Sequence, residues 1–422
     1  MINEVQELRV HVLNLMGSLT GRIPVNLSEW SRQRFIHDEI MPTLSREQSD
    51  LLYRFGQSLL LEMRRHDASD IEIGGYGARG FVWIRVQGRK MPLDSVGEFD
   101  PDQFSILIQG MLSPEVRIEL LAQKSVDFSY VVPAGPQKYR YRATAYFDLG
   151  DLALNMRAIN NRIWPFKDYA FHPNIVRLLN LAQTQQGLIL LTGITGSGKS
   201  TTLDSILNLN NKSVEGHIVV IASPVEFIHD SDKCIIRHRE VGRDTQSFKT
   251  GIIEALRQDP DIIAIGEMRD PQTIMAALEA ADTGHKVFST LHTGSAVESV
   301  ERIIAEMPPL EQNRVRMRLA DTLTCVISQK LVPGNRGRRV LAKEVLAVTP
   351  SVRAAIKSNN LGEIYQMISE GSQWGMFTME QDLVRLYKGG QIDVEAAMNY
   401  ANNKRRMQQQ LQMSRAKKSS II

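Results

Sequence analysis

A glycine-rich stretch at residues 193–200 carries residue types that could hold phosphate groups. Its letters, G-I-T-G-S-G-K-S, fit the phosphate-binding pattern G-x-x-x-x-G-K-[ST]. The glycines allow a tight turn that aims several backbone N–H groups at one anion, at the positive end of the following helix. Lys199 supplies a charge for the β- and γ-phosphates, and Ser200 supplies a hydroxyl ligand for Mg²⁺. The residues predicted to bind ATP are Gly193, Thr195, Gly196, Ser197, Gly198, Lys199, Ser200 and Thr201, with Ser200 also at the metal.

A chance match is the alternative to this interpretation. Average residue usage produces such a pattern in roughly one chain of this size in a hundred. The flanking residues argue against chance, because the apolar run 188–192 is typical of a buried strand and residues 201–207 are typical of a helix. We therefore expect a nucleotide site here.

Cleavage of a bound nucleotide needs a group that orients water, and Glu267 is the first candidate. It directly follows the apolar run 261–266, which is typical of a strand. In a parallel α/β sheet the C-terminal ends of the strands face the ligand, so this carboxylate is placed to polarise an attacking water. A surface salt bridge with Arg269 is the alternative. The acid that usually binds the metal at this strand end is missing, since Ile265 and Gly266 stand there.

A second carboxylate and two histidines lie beside other predicted strands. Glu226 comes after the run 217–222 and is a candidate for contact with Mg²⁺ through water. His285 precedes the run 286–291, and His292 follows it. Metal binding by this pair is one interpretation, although no third ligand lies at a suitable spacing. Sensing of the γ-phosphate, a subunit contact and core packing are the others.

The elements that must position these residues alternate between strand and helix. Apolar runs at 188–192, 217–222, 261–266 and 286–291 predict buried parallel strands with helices between them. This alternation predicts an α/β fold with a mostly parallel, doubly wound sheet over residues 169–350. A hairpin is predicted at the end of this core, from residues 328 to 346. A helical C-terminal region follows over residues 351–403.

The chain before this core predicts a different architecture. Residues 1–48 are predicted to be a helical leader, and residues 49–155 a small α+β domain. One strand of that domain is predicted over residues 81–89, and residues 156–168 are a linker. The tail at 404–422 has six basic and no acidic residues, so we expect it to be disordered.

Composition sets limits on the class of protein. The 422 residues are 43% hydrophobic and 23% charged, which is ordinary for a globular chain of two or three domains. The net charge of +3 and the absence of a basic, aromatic-rich stripe argue against stable nucleic-acid binding. No apolar run approaches about 18 residues, so we expect no transmembrane segment. The acidic N-terminus is unlike a signal peptide, and the two cysteines are far apart, so we expect a cytoplasmic protein.

Several motifs together resemble the secretion-ATPase superfamily, which contains the type IV pilus-retraction ATPases and the type IV secretion ATPases. The resemblance covers residues 50–400 approximately. Its blocks are the phosphate-binding loop at 193–201, P-V-E-F at 224–227, R-E-V-G-R-D-T-Q-S-F at 239–248, L-R-Q-D-P-D-I-I at 256–263, G-E-M-R-D at 266–270 as an atypical Walker B motif, and a histidine box at 283–293.

The resemblance implies a homo-hexameric ring, in which each subunit has a PAS-like N-terminal domain before a RecA-like P-loop ATPase core. It also implies ATP and Mg²⁺ as cofactors, and an inner-membrane platform protein of a pilus or secretion machine as the partner. In the family, arginines of the N-terminal domain reach the nucleotide, and Arg142 and Arg157 lie at the matching places. A charge on the strand surface is the alternative for Arg142.

The sequence also departs from the family pattern. Ala222 and Ser223 stand where the family has an acidic pair, and residues 351–360 lack the A-I-R-N signature of the retraction branch. The leader before residue 50 is extra. However, two cysteines exclude the four-cysteine zinc motif of pilus-extension members, and residues 371–381 resemble the G-M-x-T-M segment of the retraction branch.

The first functional hypothesis is therefore a motor that hydrolyses ATP to power type IV pilus retraction, as in twitching motility. An ATPase that energises a type IV secretion or conjugation system is the close alternative. A nucleotide-binding regulatory ring with little hydrolysis is motivated by the missing acidic pair, but the intact Lys199 and Glu267 argue against it.

Overall fold

The computed structural model describes residues 2–86, 88–135, 137–159, 163–335 and 337–419. It divides the chain into two compact units, Met1–Asn161 and Arg162–Ile422, each with an apolar core of its own. Residues 160–162 of the predicted linker and residues 420–422 of the predicted tail lie outside the described residues. In the described part of the chain, no helix combines the length and the apolar character needed to cross a membrane.

The first unit begins with helices and continues into an antiparallel sheet. Its described strands form a six-stranded sheet in the order β3-β2-β1-β6-β5-β4. The elements, in chain order, are α1 (Ile2–Thr20), α2 (Glu29–Phe35), α3 (Arg46–Arg65), β1 (Ala68–Gly74), β2 (Trp83–Val86), β3 (Arg89–Pro92), α4 (Pro101–Met111), α5 (Pro114–Gln123), β4 (Ser125–Ala134), β5 (Gln137–Asp148) and β6 (Asp151–Ala158).

The residues predicted as a leader contribute to the core of this unit. Val12 and Met16 are fully buried, and α1 packs against α3 and α4. The spacing of four residues puts both side chains on one face of the helix. The leader is therefore structurally part of the first unit.

The prediction of one strand over residues 81–89 is wrong. The chain turns back, so that β2 and β3 pair as antiparallel strands with Val86 opposite Arg89. Gly88 in this turn has a φ of 86°, a conformation that glycine adopts at little cost.

The second unit alternates strands and helices and ends in helices. Its elements are α6 (Pro173–Leu179), β7 (Gly187–Thr192), α7 (Lys199–Ser213), β8 (Gly216–Ala222), β9 (Cys234–Glu240), α8 (Phe248–Ala255), β10 (Ile262–Ile265), α9 (Pro271–Asp282), β11 (Lys286–Leu291), α10 (Ala296–Ala305), α11 (Gln312–Thr322), β12 (Leu323–Pro333), β13 (Arg339–Ala347), α12 (Pro350–Lys357), α13 (Ile364–Glu370), α14 (Met379–Lys388), α15 (Val394–Tyr400) and α16 (Lys404–Ser419).

The described strands of the second unit form a seven-stranded sheet in the order β13-β12-β7-β11-β10-β8-β9. All neighbouring strands are parallel except β12 and β13, which form the predicted hairpin. Strands β7, β10 and β11 are buried along their whole length, which explains their mainly apolar sequences. The four predicted parallel strands are confirmed, and β9 is a strand that the sequence did not predict.

The predicted disorder of the tail is wrong for residues 404–419, which form the helix α16. Met407 and Leu411 are buried in a small apolar cluster with Leu383 and Leu386 of α14. The basic residues 404–406 stay exposed on the helix surface. The prediction of disorder rested on the charge of the tail. It failed because two apolar residues four positions apart are enough to dock one face of the helix.

Candidate nucleotide-binding site

The glycine-rich loop connects the end of the buried strand β7 to the start of α7. Gly193 has a φ of 145°, and a Cβ atom there would clash with the Ser197 hydroxyl and the Gln329 carbonyl. Gly198 is the N-cap of α7 with a φ of 89°. The loop therefore has the sharp backbone turns that the sequence pattern predicts.

The loop has the properties of an anion site. Among the described residues, no side chain caps the first turn of α7, so its leading N–H groups are available to a ligand. The Ser197 hydroxyl is buried and finds no hydrogen-bond partner in the described residues. Ser200 and Thr201 are exposed at the start of the helix. Unpaired donors at a helix N-terminus fit the phosphates of a nucleotide.

Lys199 lies inside the loop. Its Nζ donates hydrogen bonds to the carbonyls of Gly193 at 2.8 Å and Ile194 at 3.2 Å. Burial lowers the pKa of Lys199, and the nearby carboxylates of Glu267 and Glu226 oppose this change. Both predicted acidic residues therefore lie close enough to act on the charge of this lysine.

The parallel register explains why these residues meet. Ile265 of β10 pairs with Ile221 of β8 on one side and with Ser289 of β11 on the other, and Ser289 pairs with Leu190 of β7. The segments that follow the four strands consequently lie at the same edge of the sheet. This edge carries the glycine-rich loop, Glu226, Glu267 and His292.

The Glu267 carboxylate has two partners at this edge. Its Oε2 lies 2.7 Å from Nε of Arg269 and 3.7 Å from Nε2 of His292. The salt bridge that was the alternative interpretation is therefore present. The Arg269 side chain is 71% exposed, whereas the Glu267 side chain is only 18% exposed.

The surroundings of His292 favour the neutral form of its ring. Burial lowers its pKa, and the charges of Lys199, Arg269 and Arg302 lower it further, while Glu267 acts in the opposite direction. Its carbonyl accepts a hydrogen bond from Arg302 at 3.0 Å. A neutral imidazole beside Glu267 can accept or donate one proton near neutral pH.

The structure does not bring His285 to this site, which corrects its inclusion among the candidate residues. His285 precedes β11, so it lies at the opposite edge of the sheet, roughly 20 Å away along a strand of this length. Its Nδ1 is within hydrogen-bond distance of the Ala280 carbonyl at 3.1 Å and the Thr283 hydroxyl at 3.2 Å. It caps the turn after α9, and any metal shared with His292 is excluded by distance.

Glu226 is exposed at the edge, and a neighbouring acid was missed by the sequence analysis. The Val225 N–H donates to Oε2 of Glu240 at 3.0 Å. Glu240 ends β9 in register with Ala222, where the family's acidic pair is replaced. The signal that could have found it is the same as for Glu267: a carboxylate at the end of a parallel strand.

Arg142 and Arg157 lie in the first unit, which is described by itself. They are directly opposite each other on β5 and β6, and both are exposed. Arg157 Nε pairs with Oδ1 of Asp70 at 2.7 Å, and Asp70 is opposite Arg85 on β2. The exposed face of this sheet therefore carries an arginine row, defined as Arg85, Arg157 and Arg142. Asp70 lies between Arg85 and Arg157 in this row. Like charges placed opposite each other destabilise a sheet, and a bound anion relieves this repulsion. The arginine row therefore suits an anionic ligand.

A phosphate-binding loop after a buried parallel strand, with a carboxylate after another strand at the same edge of the sheet, defines a P-loop nucleotide-binding protein. The family model described as "Type II/IV secretion system protein" matches residues 150–336. A twitching motility protein of Neisseria gonorrhoeae is 38% identical over 325 residues, which are 77% of this chain and 85% of that protein. The chain belongs to the type II/IV secretion system protein family.

Two further comparisons agree with this family. The type IV pilus retraction ATPase PilT of Pseudomonas aeruginosa is 38% identical over 320 residues, covering 75% of this chain and 90% of that protein. A crystal structure of the pilus retraction motor PilT with bound ADP has a TM-score of 0.76 and 35% identity, covering 84% of this chain and 98% of that one. The predicted family and the predicted fold class, a RecA-like α/β core after an α+β domain, are confirmed.

Proposed function

We propose that this chain is an ATP-hydrolysing motor subunit that acts as a homo-hexamer and powers the retraction of type IV pili. The observation that carries the proposal is that a buried P-loop lysine and Glu267 meet at one edge of the sheet, where the carboxylate acts on the charge of the lysine. It lies in a chain with 38% identity across 90% of a named retraction ATPase. The division into a PAS-like domain at 49–155, a core at 169–350 and C-terminal helices at 351–403 belongs to this proposal.

Each residue at this edge of the sheet has its own role in the proposed hydrolysis. The glycine-rich loop and Lys199 hold the phosphates, and the exposed Ser200 hydroxyl is the protein ligand for Mg²⁺. When bound, Mg²⁺ neutralises charge on the β- and γ-phosphate oxygens. Glu267 orients and polarises the attacking water, and neutral His292 hydrogen-bonds beside it. Glu226 is exposed at the same edge, where it can contact the metal's water shell.

The second unit offers few cations besides Lys199 for the developing charge on the γ-phosphate. Arg269 pairs with Glu267, and Arg302 binds a backbone carbonyl. Arg142 and Arg157 of the first unit are the candidates for the remaining positive charge. An arginine in this role raises turnover by about 10³- to 10⁵-fold in other phosphate-transferring enzymes.

The proposal places the ring in the cytoplasm, attached to the inner membrane through a platform protein of the pilus machine. A secretion or conjugation ATPase is the second candidate, because the matching family description includes secretion systems. A regulatory ring with little hydrolysis is the third, because Ala222 and Ser223 replace an acidic pair.

Deletion of the gene in its own host separates the first two candidates. We expect over-piliated cells that do not move, restored by the wild-type chain and not by a Glu267→Gln chain. Normal pili with blocked export would contradict retraction and support secretion. Restoration by the Glu267→Gln chain would support a non-hydrolytic role.

A further inference from the structure

The loop between β11 and α10, residues 292–295, is called the histidine loop because it carries His292. Most of its hydrogen bonds go to the following helix. The Gly294 N–H donates to Oε2 of Glu298 at 2.7 Å, and the Thr293 hydroxyl lies 2.6 Å from that of Ser299. These contacts fix the shape of the loop relative to α10.

Asn402 reaches the same loop from a distant part of the sequence. It lies in the turn between α15 and α16 and is exposed. Its Nδ2 donates to the carbonyl of Gly294 at 3.3 Å, and its Oδ1 accepts from Nζ of Lys330 on β12 at 2.6 Å. One amide group therefore joins the histidine loop to the sheet and to the C-terminal helices.

The chemistry of the two partners fixes the orientation of this amide. A lysine ammonium can only donate, so it must face the amide oxygen, and a carbonyl can only accept, so it must face the amide nitrogen. Asparagine supplies one acceptor and two donors at the right length. Aspartate in its place would keep the bond to Lys330 and turn a second acceptor towards the Gly294 carbonyl.

The turn that carries Asn402 is itself firmly held. Lys330 Nζ also donates to the Tyr400 carbonyl at 2.8 Å. The Asn403 N–H donates to Oε1 of Glu380 at 2.7 Å, and Glu380 is fully buried. The Asn402 amide is thus an anchored group, and it restrains the histidine loop from outside α10.

We propose that Asn402 is a positioning residue that holds the histidine loop, and through it His292, against the Glu267 carboxylate. The inference rests on the proposed function, because it assigns Asn402 a part in the same hydrolytic site. Misplacement of a catalytic group by about 1 Å can cost about 100-fold in rate. A displacement of the turn between α15 and α16 would accordingly be transmitted to the site.

The test compares Asn402→Asp with Asn335→Asp in the full-length protein. Asn335 is a matched control because it is exposed, and its Nδ2 donates to the carbonyl of Gly390 at 3.1 Å. Asn402→Ala is included to separate the loss of the donor from the added charge. Steady-state ATP hydrolysis gives kcat and KM, and hydrogen–deuterium exchange reports on the amides of residues 292–295.

We expect both Asn402 variants to lower kcat at least about fivefold with KM for ATP within about twofold, since the loop orients the reacting groups and does not bind the nucleotide. Amides 292–295 should exchange faster than in the wild type, and the control should change neither quantity. Unchanged exchange in the Asn402 variants would overturn the proposal, whether or not the protein hydrolyses ATP. Unchanged kcat in an active protein would also overturn it, whereas an inactive wild type would refute the proposed function alone.

Discussion

Among the residues of the second unit, two buried lysines differ in what surrounds their charge. Lys199 donates to two carbonyls, and the carboxylates of Glu267 and Glu226 also act on its charge. Lys286 is fully buried, and its Nζ donates to the carbonyls of Leu178 at 2.6 Å and Thr184 at 2.7 Å. Burial lowers the pKa of Lys286 to about 7. Two carbonyl dipoles compensate the lost hydration of an ammonium less well than carboxylates do.

This difference predicts a pH-dependent stability that depends on Lys286. The unfolded chain keeps the proton on this lysine up to a pH of about 10.4. The folded protein loses it from a pH of about 7 upward. The unfolded state thus binds more protons between these values, and stability should rise with pH. From pH 7 to 9, urea titration should show the wild type gaining about 2 kcal/mol in its free energy of unfolding relative to Lys286→Met. Equal pH slopes in the two proteins would contradict this expectation.

The parts of the candidate site that lie within one short segment could be predicted from the sequence. The glycine-rich loop has a fixed residue pattern, and Glu267 directly follows a continuous apolar strand. Asn402 was not predictable, because its partner Gly294 lies 108 residues away in the chain. His285 precedes its strand, so the rule that puts Glu267 at the site, with ligands at the C-terminal ends of parallel strands, puts His285 at the opposite edge. The roles of the site residues stay predictions until turnover is measured.

On the scale of single elements, the side chains buried on one face of a helix determine how much that helix contributes to stability. In α1, Val12 is fully buried and Val10 is 57% exposed. The same residue type therefore occurs on the core face and on the solvent face of one helix. Removal of two methyl groups from the core side leaves a cavity and loses apolar burial, whereas removal from the solvent side does neither.

We expect Val12→Ala to lower the free energy of unfolding by about 2 kcal/mol and Val10→Ala by less than about 0.5 kcal/mol. Urea-induced unfolding followed by circular dichroism measures both. Equal effects of the two substitutions would mean that α1 is not docked on the first unit in solution.

Helices and strands were predicted well where the pattern of apolar residues was strong. They were predicted poorly where charged and polar residues outnumbered the apolar ones. The four predicted strands of the parallel sheet are mainly apolar runs, and they were found at their predicted places. In α16 the apolar face consists of Met407 and Leu411 among many polar residues, so composition alone suggested disorder. The strand β9 was missed because the consecutive polar residues Arg237, His238 and Arg239 interrupt its hydrophobic signal.

For the whole molecule, the account requires an active site completed by groups from outside the second unit. In the proposed function, the sheet edge holds the phosphates and the water-orienting carboxylate, while the arginine row belongs to the first unit. In a ring, the arginines can act on the nucleotide of their own chain or on that of a neighbouring subunit. Hydrolysis depends on assembly of the ring only if the arginines act on the nucleotide of a neighbouring subunit.

Mixed rings of two inactive variants test this choice. Arg142→Ala lacks the arginine and Glu267→Gln lacks the carboxylate, and we expect each alone to lose at least about 100-fold in turnover. If the arginine acts across the subunit interface, a mixture should regain activity, because some interfaces combine an intact Glu267 with an intact Arg142.

The control experiment uses Arg54→Ala in place of Arg142→Ala, because the Arg54 side chain is exposed on α3. This variant should keep full activity alone. Activity that does not return in the mixed rings would contradict an arginine acting between subunits, and full activity of Arg142→Ala alone would remove the arginine from the mechanism.

The central claim is that this chain hydrolyses ATP with Glu267 as the group that activates water. Phosphate release by the purified full-length protein with Mg²⁺ and ATP tests it most directly, comparing the wild type with Glu267→Gln and with Glu279→Gln, an exposed control on α9. We expect the wild type and the control to turn over alike, and Glu267→Gln to bind ATP as tightly but to release phosphate at least about 100 times more slowly. Negligible turnover by all three proteins, or equal turnover by all three, would contradict the account.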